Sequence, residues 1–213
     1  MNHNRRAVIG VTAAIAVSGA GCLDFVTGDG PLEEDAQRAT VSAGVLSETG
    51  YEETSVEELV IEEEVAAGRE VRVTNWIATY ERTVDLGGTS LDAGQFTVVS
   101  TPRFEIAGRA MNPIAELDNE DILEQFLDEY DDLSISGQSG SQTVEMLGSD
   151  VEAEQFGGNG TLAGQNVDIE FHIARVDAGD DLVIAVGAYP EELRDLEDED
   201  ERIVRMIEGI EHG

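Results

Sequence analysis

Apolar and polar positions along the chain follow two rhythms. In VDIEFHIARV (167–176), Val167, Ile169, Phe171 and Ile173 alternate with Asp168, Glu170 and His172. A period of two is that of a half-buried antiparallel strand, with His172 at a solvated position on its polar face. LVIAVGAY (182–189) is apolar throughout, so this strand is covered on both faces. Similar runs predict strands at roughly 57–66, 69–82, 96–106 (broken at Pro102), 142–156, 166–176 and 181–189. A tight turn at Ala67-Gly68 joins the first two. In REVRVTNWIATYER, Val71, Val73 and Ile77 share one face and Trp76, Ala78 and Tyr80 the other, as expected of a strand covered on both sides. Trp76 and Tyr80 are the candidate binding patch, against the plainer alternative that both pack beneath a helix.

A spacing of three and four predicts helices elsewhere. Over Asp118–Leu133 the stripe is Ile122, Leu123, Phe126, Leu127, Tyr130 and Leu133, with Asp118 placed to cap and Asp121 in the first turn. Pro31–Gly50 offers Ala36, Ala39, Ala43 and Leu46, with Glu33, Glu34 and Asp35 at the positive end of the helix dipole. Residues 199–211 turn Ile203, Val204, Ile207 and Ile210 inward. Asn112-Pro113 is read as a turn, the Gly/Ser-rich 136–141 as a loop, and FGGNG (156–160) and DAGDD (177–181) as hairpin turns. Antiparallel runs with helices before, between and after them make an α+β domain over residues 32–213. Its sheet is mostly antiparallel, with helices packed on it.

The amino terminus is a separate matter. MNHNRRAVIGVTAAIAVSGAGC has a basic start at Arg5 and Arg6, an apolar stretch from Ala7 to Val17, and small residues Ser18–Gly21 before Cys22, the single cysteine. The apolar stretch at 1.5 Å per residue spans roughly 20 Å, short of the roughly 30 Å hydrocarbon core. Residues 1–21 therefore read as an export signal and not as a permanent span. Gly19-Ala20-Gly21-Cys22 resembles a lipobox, whose cysteine takes the lipid on its thiolate; Gly19 stands where Leu is commoner. Arg5-Arg6 with Ala7, Val8 and Ile9 resembles a twin-arginine signal, the route for folded cargo. Cleavage would leave residues 22–31 as a short tether and Cys22 as a membrane anchor. Retention of the leader as the anchor is the other outcome.

Charge then narrows the partners. The chain has 46 Asp plus Glu against 12 cations, all Arg, for a formal net charge of −34. Such a surface repels itself in dilute salt, where the Debye length is about 30 Å at 0.01 M against about 3 Å at 1 M. The composition therefore suits a halophile. With no basic stripe to neutralise phosphates, nucleic acid is excluded as a partner.

Two resemblances extend over the domain. FTVVSTP, Asn112-Pro113, VDIEFHIARV, LVIAVGAYP and RIVRMIEGIE resemble the PsbP-like fold of photosystem extrinsic proteins and their bacterial lipoprotein relatives, which implies a PsbP-like sandwich. The chain as a whole resembles uncharacterised lipoproteins of haloarchaea, a family of unknown function, which implies a place on the outer face of the cell membrane and says nothing of an activity.

Candidate chemistry is sparse. His3 lies in the leader and His212 near the end, which leaves His172 for any zinc or Ser-His-Asp site, with no G-x-S-x-G elbow and no cysteine in the domain. No metal, cofactor or catalytic residue is assigned. The acidic runs 128–132 and 195–201 lack calcium-loop spacing. Asn159-Gly160-Thr161 is an N-glycosylation acceptor motif. These features favour a lipid-anchored, extracellular, non-enzymatic binding domain with an unknown protein or small-molecule partner. The rivals are an accessory subunit of a membrane complex or transporter, and a carboxylate-dependent enzyme.

Overall fold

The computed structural model describes residues 32–65, 69–85, 90–106, 109–110, 114, 117–127, 133–162 and 165–213. The export signal, Arg5, Arg6, Cys22, the tether, and the turns at Ala67-Gly68 and Asn112-Pro113 lie outside them. The described chain runs β1 (Leu32–Asp35), β2 (Ala39–Val41), α1 (Ala43–Thr49), β3 (Glu52–Val65), β4 (Arg69–Asp85) and β5 (Ser90–Pro102). A small pair, β6 (Glu105–Ile106) and β7 (Arg109–Ala110), precedes α2 (Asn119–Leu127). Then come β8 (Ser134–Met146), β9 (Ser149–Leu162), β10 (Gln165–Ala178), β11 (Asp181–Pro190), α3 (Leu193–Glu197), α4 (Glu199–Glu208) and β12 (Ile210–His212).

Eight of these strands form one mixed sheet. β3 covers one edge of β4 over residues 69–81. On the other edge β1 runs parallel beside 71–74 and β5 antiparallel beside 76–85. From β5 the order continues β11, β10, β9, β8, so β3 and β8 are the long outer strands, while the four-residue β1 pairs only with β4 among the described residues. One face packs Tyr80, Phe96, Val98, Val183 and Ala185 against Ile203, Met206 and Ile207 of α4 and against the β2–β12 pair. α4 lies so close to β11 that a Cβ on Gly187 would sit 2.7 Å from Ile203 Cγ2. On the opposite face Val99, Phe171, Ile173 and Ile184 meet Ile122 and Leu123 of α2. Among the described residues no helix is long and apolar enough to cross a membrane.

The molecule is predominantly β, and this overturns the expected α+β, PsbP-like sandwich of helices on a sheet. The correction comes from glycine and serine. Residues 136–141 and FGGNG are strand, inside β8 and β9. Gly158 is needed for close approach and not for a turn: a Cβ there would lie 2.2 Å from the Ser134 carbonyl oxygen and 2.7 Å from Phe171 Cε2. The run 142–156 is two strands, turned at Leu147 (φ 51°) and Gly148 (φ 77°). The expected helix over Pro31–Gly50 reduces to α1. Its amino half is β1 and β2, where Ala36 and Ala39 are buried against the sheet. The Asp118 cap is present, its Oδ1 accepting the Asp121 N–H at 2.9 Å, and α2 is described to Leu127. The last helix gives way at Gly209 to β12, which keeps Ile210 buried.

Candidate functional site

Alternation along β4 puts Arg72, Thr74, Trp76, Ala78, Tyr80 and Arg82 on one face. β2 and α4 cover that face from Ala78 onward but leave its beginning open. The cross-strand register builds the walls there. Glu33 of β1 and Glu62 of β3 flank Arg72, Asp35 and Val60 flank Thr74, and Glu58 stands opposite Trp76. The result is an open groove of about 450 Å³ lined by Glu33, Asp35, Glu58, Arg72 and Trp76, with Ala36, Val60 and Thr74 also in its wall.

Arg72 is a cation of its wall, and a second cation, Arg38, stands over Trp76. The Arg38 guanidinium carbon lies 3.9 Å from the centroid of the Trp76 ring. Two hydrogen bonds fix this placement: the Ala36 N–H donates to the Thr74 carbonyl at 3.0 Å, and the Val41 N–H donates to Tyr80 Oη at 2.8 Å. Residues 36–41 are thereby pinned along β4, and residue 38 falls over residue 76. A cation on an indole face contributes about 0.5–1 kcal/mol when exposed and about 2 when desolvated. The surrounding carboxylates of Glu33, Asp35 and Glu58 add attraction of the same sign. The arrangement suits a group carrying positive charge, presented to one flat aromatic ring.

The expected pairing of Trp76 with Tyr80 as a surface patch is corrected in part. Tyr80 has no exposed surface. Its hydroxyl accepts the bond from β2, and burial raises its pKa. Trp76 alone reaches the groove, half-buried.

His172 also departs from expectation. It is fully buried, on the face of β10 whose next residues Ala174 and Val176 belong to the core formed with Ile203, Met206 and Ile207 of α4. Its Nε2 lies 3.2 Å from Tyr189 Oη, and Nδ1 has no hydrogen-bond partner among the described residues. Burial lowers its pKa to about 4 and raises that of Tyr189 to about 12. Arg194 hydrogen-bonds Tyr189 and pairs at 2.7 Å with the buried Glu170, which also accepts from Ser139 Oγ at 3.0 Å.

A second buried polar group is one the sequence reading missed. Arg82 Nη1 pairs with Glu199 Oε2, Tyr51 Oη donates to Glu199 Oε1 at 2.8 Å, and Arg82 Nη2 reaches Glu197 at 2.8 Å. Burial pushes the Glu199 pKa up, while Tyr51 and Arg82 pull it back. The signal was available: Arg82 continues the Ala78–Tyr80 inward period. Glu197 and Glu199 belong to the acidic run 195–201, which is therefore partly internal structure. The run 128–132 lies outside the described residues. Among the described residues no group of three or more His, Cys, Asp or Glu side chains is arranged to hold a metal. Asn159 is exposed but sits within β9, paired to Asp168 and Ser134, and not in a turn as expected.

Residues 38–211 match the family described as a domain of unknown function, DUF6517, and the chain belongs to that family. No curated protein matches the sequence. Among solved structures, the chain is similar to LpqN of Mycobacterium tuberculosis, described as involved in cell envelope biogenesis. The identity is 9%, the TM-score 0.30, and the match covers 81% of this chain and 96% of that one.

Proposed function

We propose that this DUF6517 protein is a non-enzymatic binding domain, tethered through Cys22 to the outer face of a halophile's membrane, and that its groove takes a ligand group carrying positive charge. The observation that carries the reading is Arg38 over Trp76, whose side chain lines the groove with Glu33, Asp35 and Glu58: an internal cation occupies the aromatic face an external one would use. The burial of His172 supports the non-enzymatic side, since that imidazole is sealed from solvent on β10, which contributes nothing to the groove wall.

The test is a calorimetric titration of tetramethylammonium into the protein at molar salt, with the double variant Glu33→Gln/Glu58→Gln alongside. Saturable binding, weakened roughly threefold to tenfold in the variant, is the expected result. Heats of simple dilution from the unaltered protein would sink the reading. An accessory subunit of a membrane complex is the second reading, favoured by the exposed outer strand β3.

A further inference from the structure

The two long outer strands of the sheet are built differently. β8 breaks register twice, between Ile135 and Gly137 and between Gln138 and Gly140, and Gly137 has a φ of 130°. Such irregularities twist an edge away from any strand that approaches it. β3 is regular from Ser55 to Val65 and, among the described residues, pairs only with β4. At its middle Leu59, Val60 and Ile61 remain 47%, 36% and 43% exposed. Three successive apolar residues place apolar surface on both faces of the strand. Every charged residue along β3 is Glu: positions 52, 53, 57, 58, 62, 63 and 64.

This charge pattern decides between occupants. A second copy added antiparallel about Val60 would set Leu59 against Ile61, but also Glu58 against Glu62 and Glu57 against Glu63. Like charges directly opposite each other across a strand pair are destabilising. An extended segment with a β-branched centre and basic flanks reverses the sign of each of those pairs while keeping the apolar match.

We propose that the free edge of β3 is a docking site for such a basic extended segment of a partner protein, added to the sheet as a further strand. The main-chain hydrogen bonds of the new pair supply the geometry. The flanking glutamates select the partner's charge, and Leu59, Val60 and Ile61 supply the buried area. This goes beyond the groove reading, although Glu58 and Val60 border both surfaces.

The experiment is fluorescence anisotropy of a labelled, capped peptide, Arg-Lys-Arg-Val-Ile-Val-Arg-Lys-Arg, titrated with the full folded chain at molar salt. Its counterparts are two versions N-methylated at alternate amides (one for each set of outward N–H groups), a version with all cations changed to Glu, and the protein variant Glu57→Lys/Glu64→Lys. Both substituted positions are exposed and outside the groove wall, so thermal unfolding should match the unaltered protein and tetramethylammonium titration should still report the groove. The expected result is saturable binding of the basic peptide. It should weaken roughly tenfold with the variant and with at least one N-methylated peptide, and the acidic peptide should not bind. Absence of saturable binding overturns the proposal. Equal binding of all the N-methylated peptides overturns it too, because attraction without strand pairing is charge adhesion. A dimer of the protein alone that blocks peptide binding would give the edge to a second copy.

Discussion

At the scale of single residues, burial rewrites the chemistry that a sequence suggests. His172 alternates with Val167, Ile169 and Phe171 as a solvent-facing residue would, yet it has no exposed surface and its pKa falls to about 4. The unfolded chain, with histidine near 6.5, takes up the proton first as pH falls. Stability from this site is therefore complete above about pH 6.5 and lost progressively toward pH 4, by about 3 kcal/mol in all. Denaturant midpoints taken across that window should fall for the unaltered protein and clearly less for His172→Gln. Equal falls would show that carboxylates alone carry the acid response. Arg82 and Glu199 teach the same lesson from the other side. A charged pair reads as surface in sequence, but burial of Arg82 follows from its period-two relation to Tyr80. Removing one partner of such a pair strands the other charge in the interior, whereas the pair as a unit adds little net stability.

At the scale of elements, strands with strong alternation or continuous apolar runs were legible in the sequence. β4, β5, β10 and β11 lie close to where Val71–Tyr80, Phe96–Pro102, Val167–Val176 and Leu182–Tyr189 placed them. The helix before Leu133 and the final helix were legible through their three-and-four spacing and, for the former, the Asp118 cap. What failed were segments whose composition speaks of turns. At Gly158 and Gly160 of β9 the neighbouring strands and side chains come too near for a Cβ, a fact about tertiary neighbours that no local pattern contains. Gly158→Ala should therefore destabilise the protein by about 1–3 kcal/mol. Gly157→Ala, where a Cβ meets nothing within 4 Å, should cost much less. Thermal unfolding of the pair separates a packing role from a turn role: similar small losses at both would contradict the close-approach account. The groove was half legible. Trp76 stood out, but its opposite wall belongs to β1, which the sequence presents as a helix start.

At the scale of the whole molecule, the net charge of −34 sets the conditions under which anything binds. At about 1 M salt the Debye length is about 3 Å, so only contact-range charges select a ligand, as at the groove and along β3. The tether is a claim of the same scale. Protein extracted from membranes should have the mass of the chain from Cys22 plus a lipid, and Cys22→Ser should lose that modification. A full-length, unmodified mass would make the apolar leader the anchor.

The central claim is that the face of Trp76 receives a cation, and Trp76 is the single tryptophan of the chain. Its emission reads the groove directly. Tetramethylammonium titrated into the Arg38→Ala variant should change the emission saturably, with affinity raised roughly threefold over the unaltered protein, because the internal competitor is gone. Emission that stays unchanged in both proteins, or an affinity that falls when Arg38 is removed, would contradict the account.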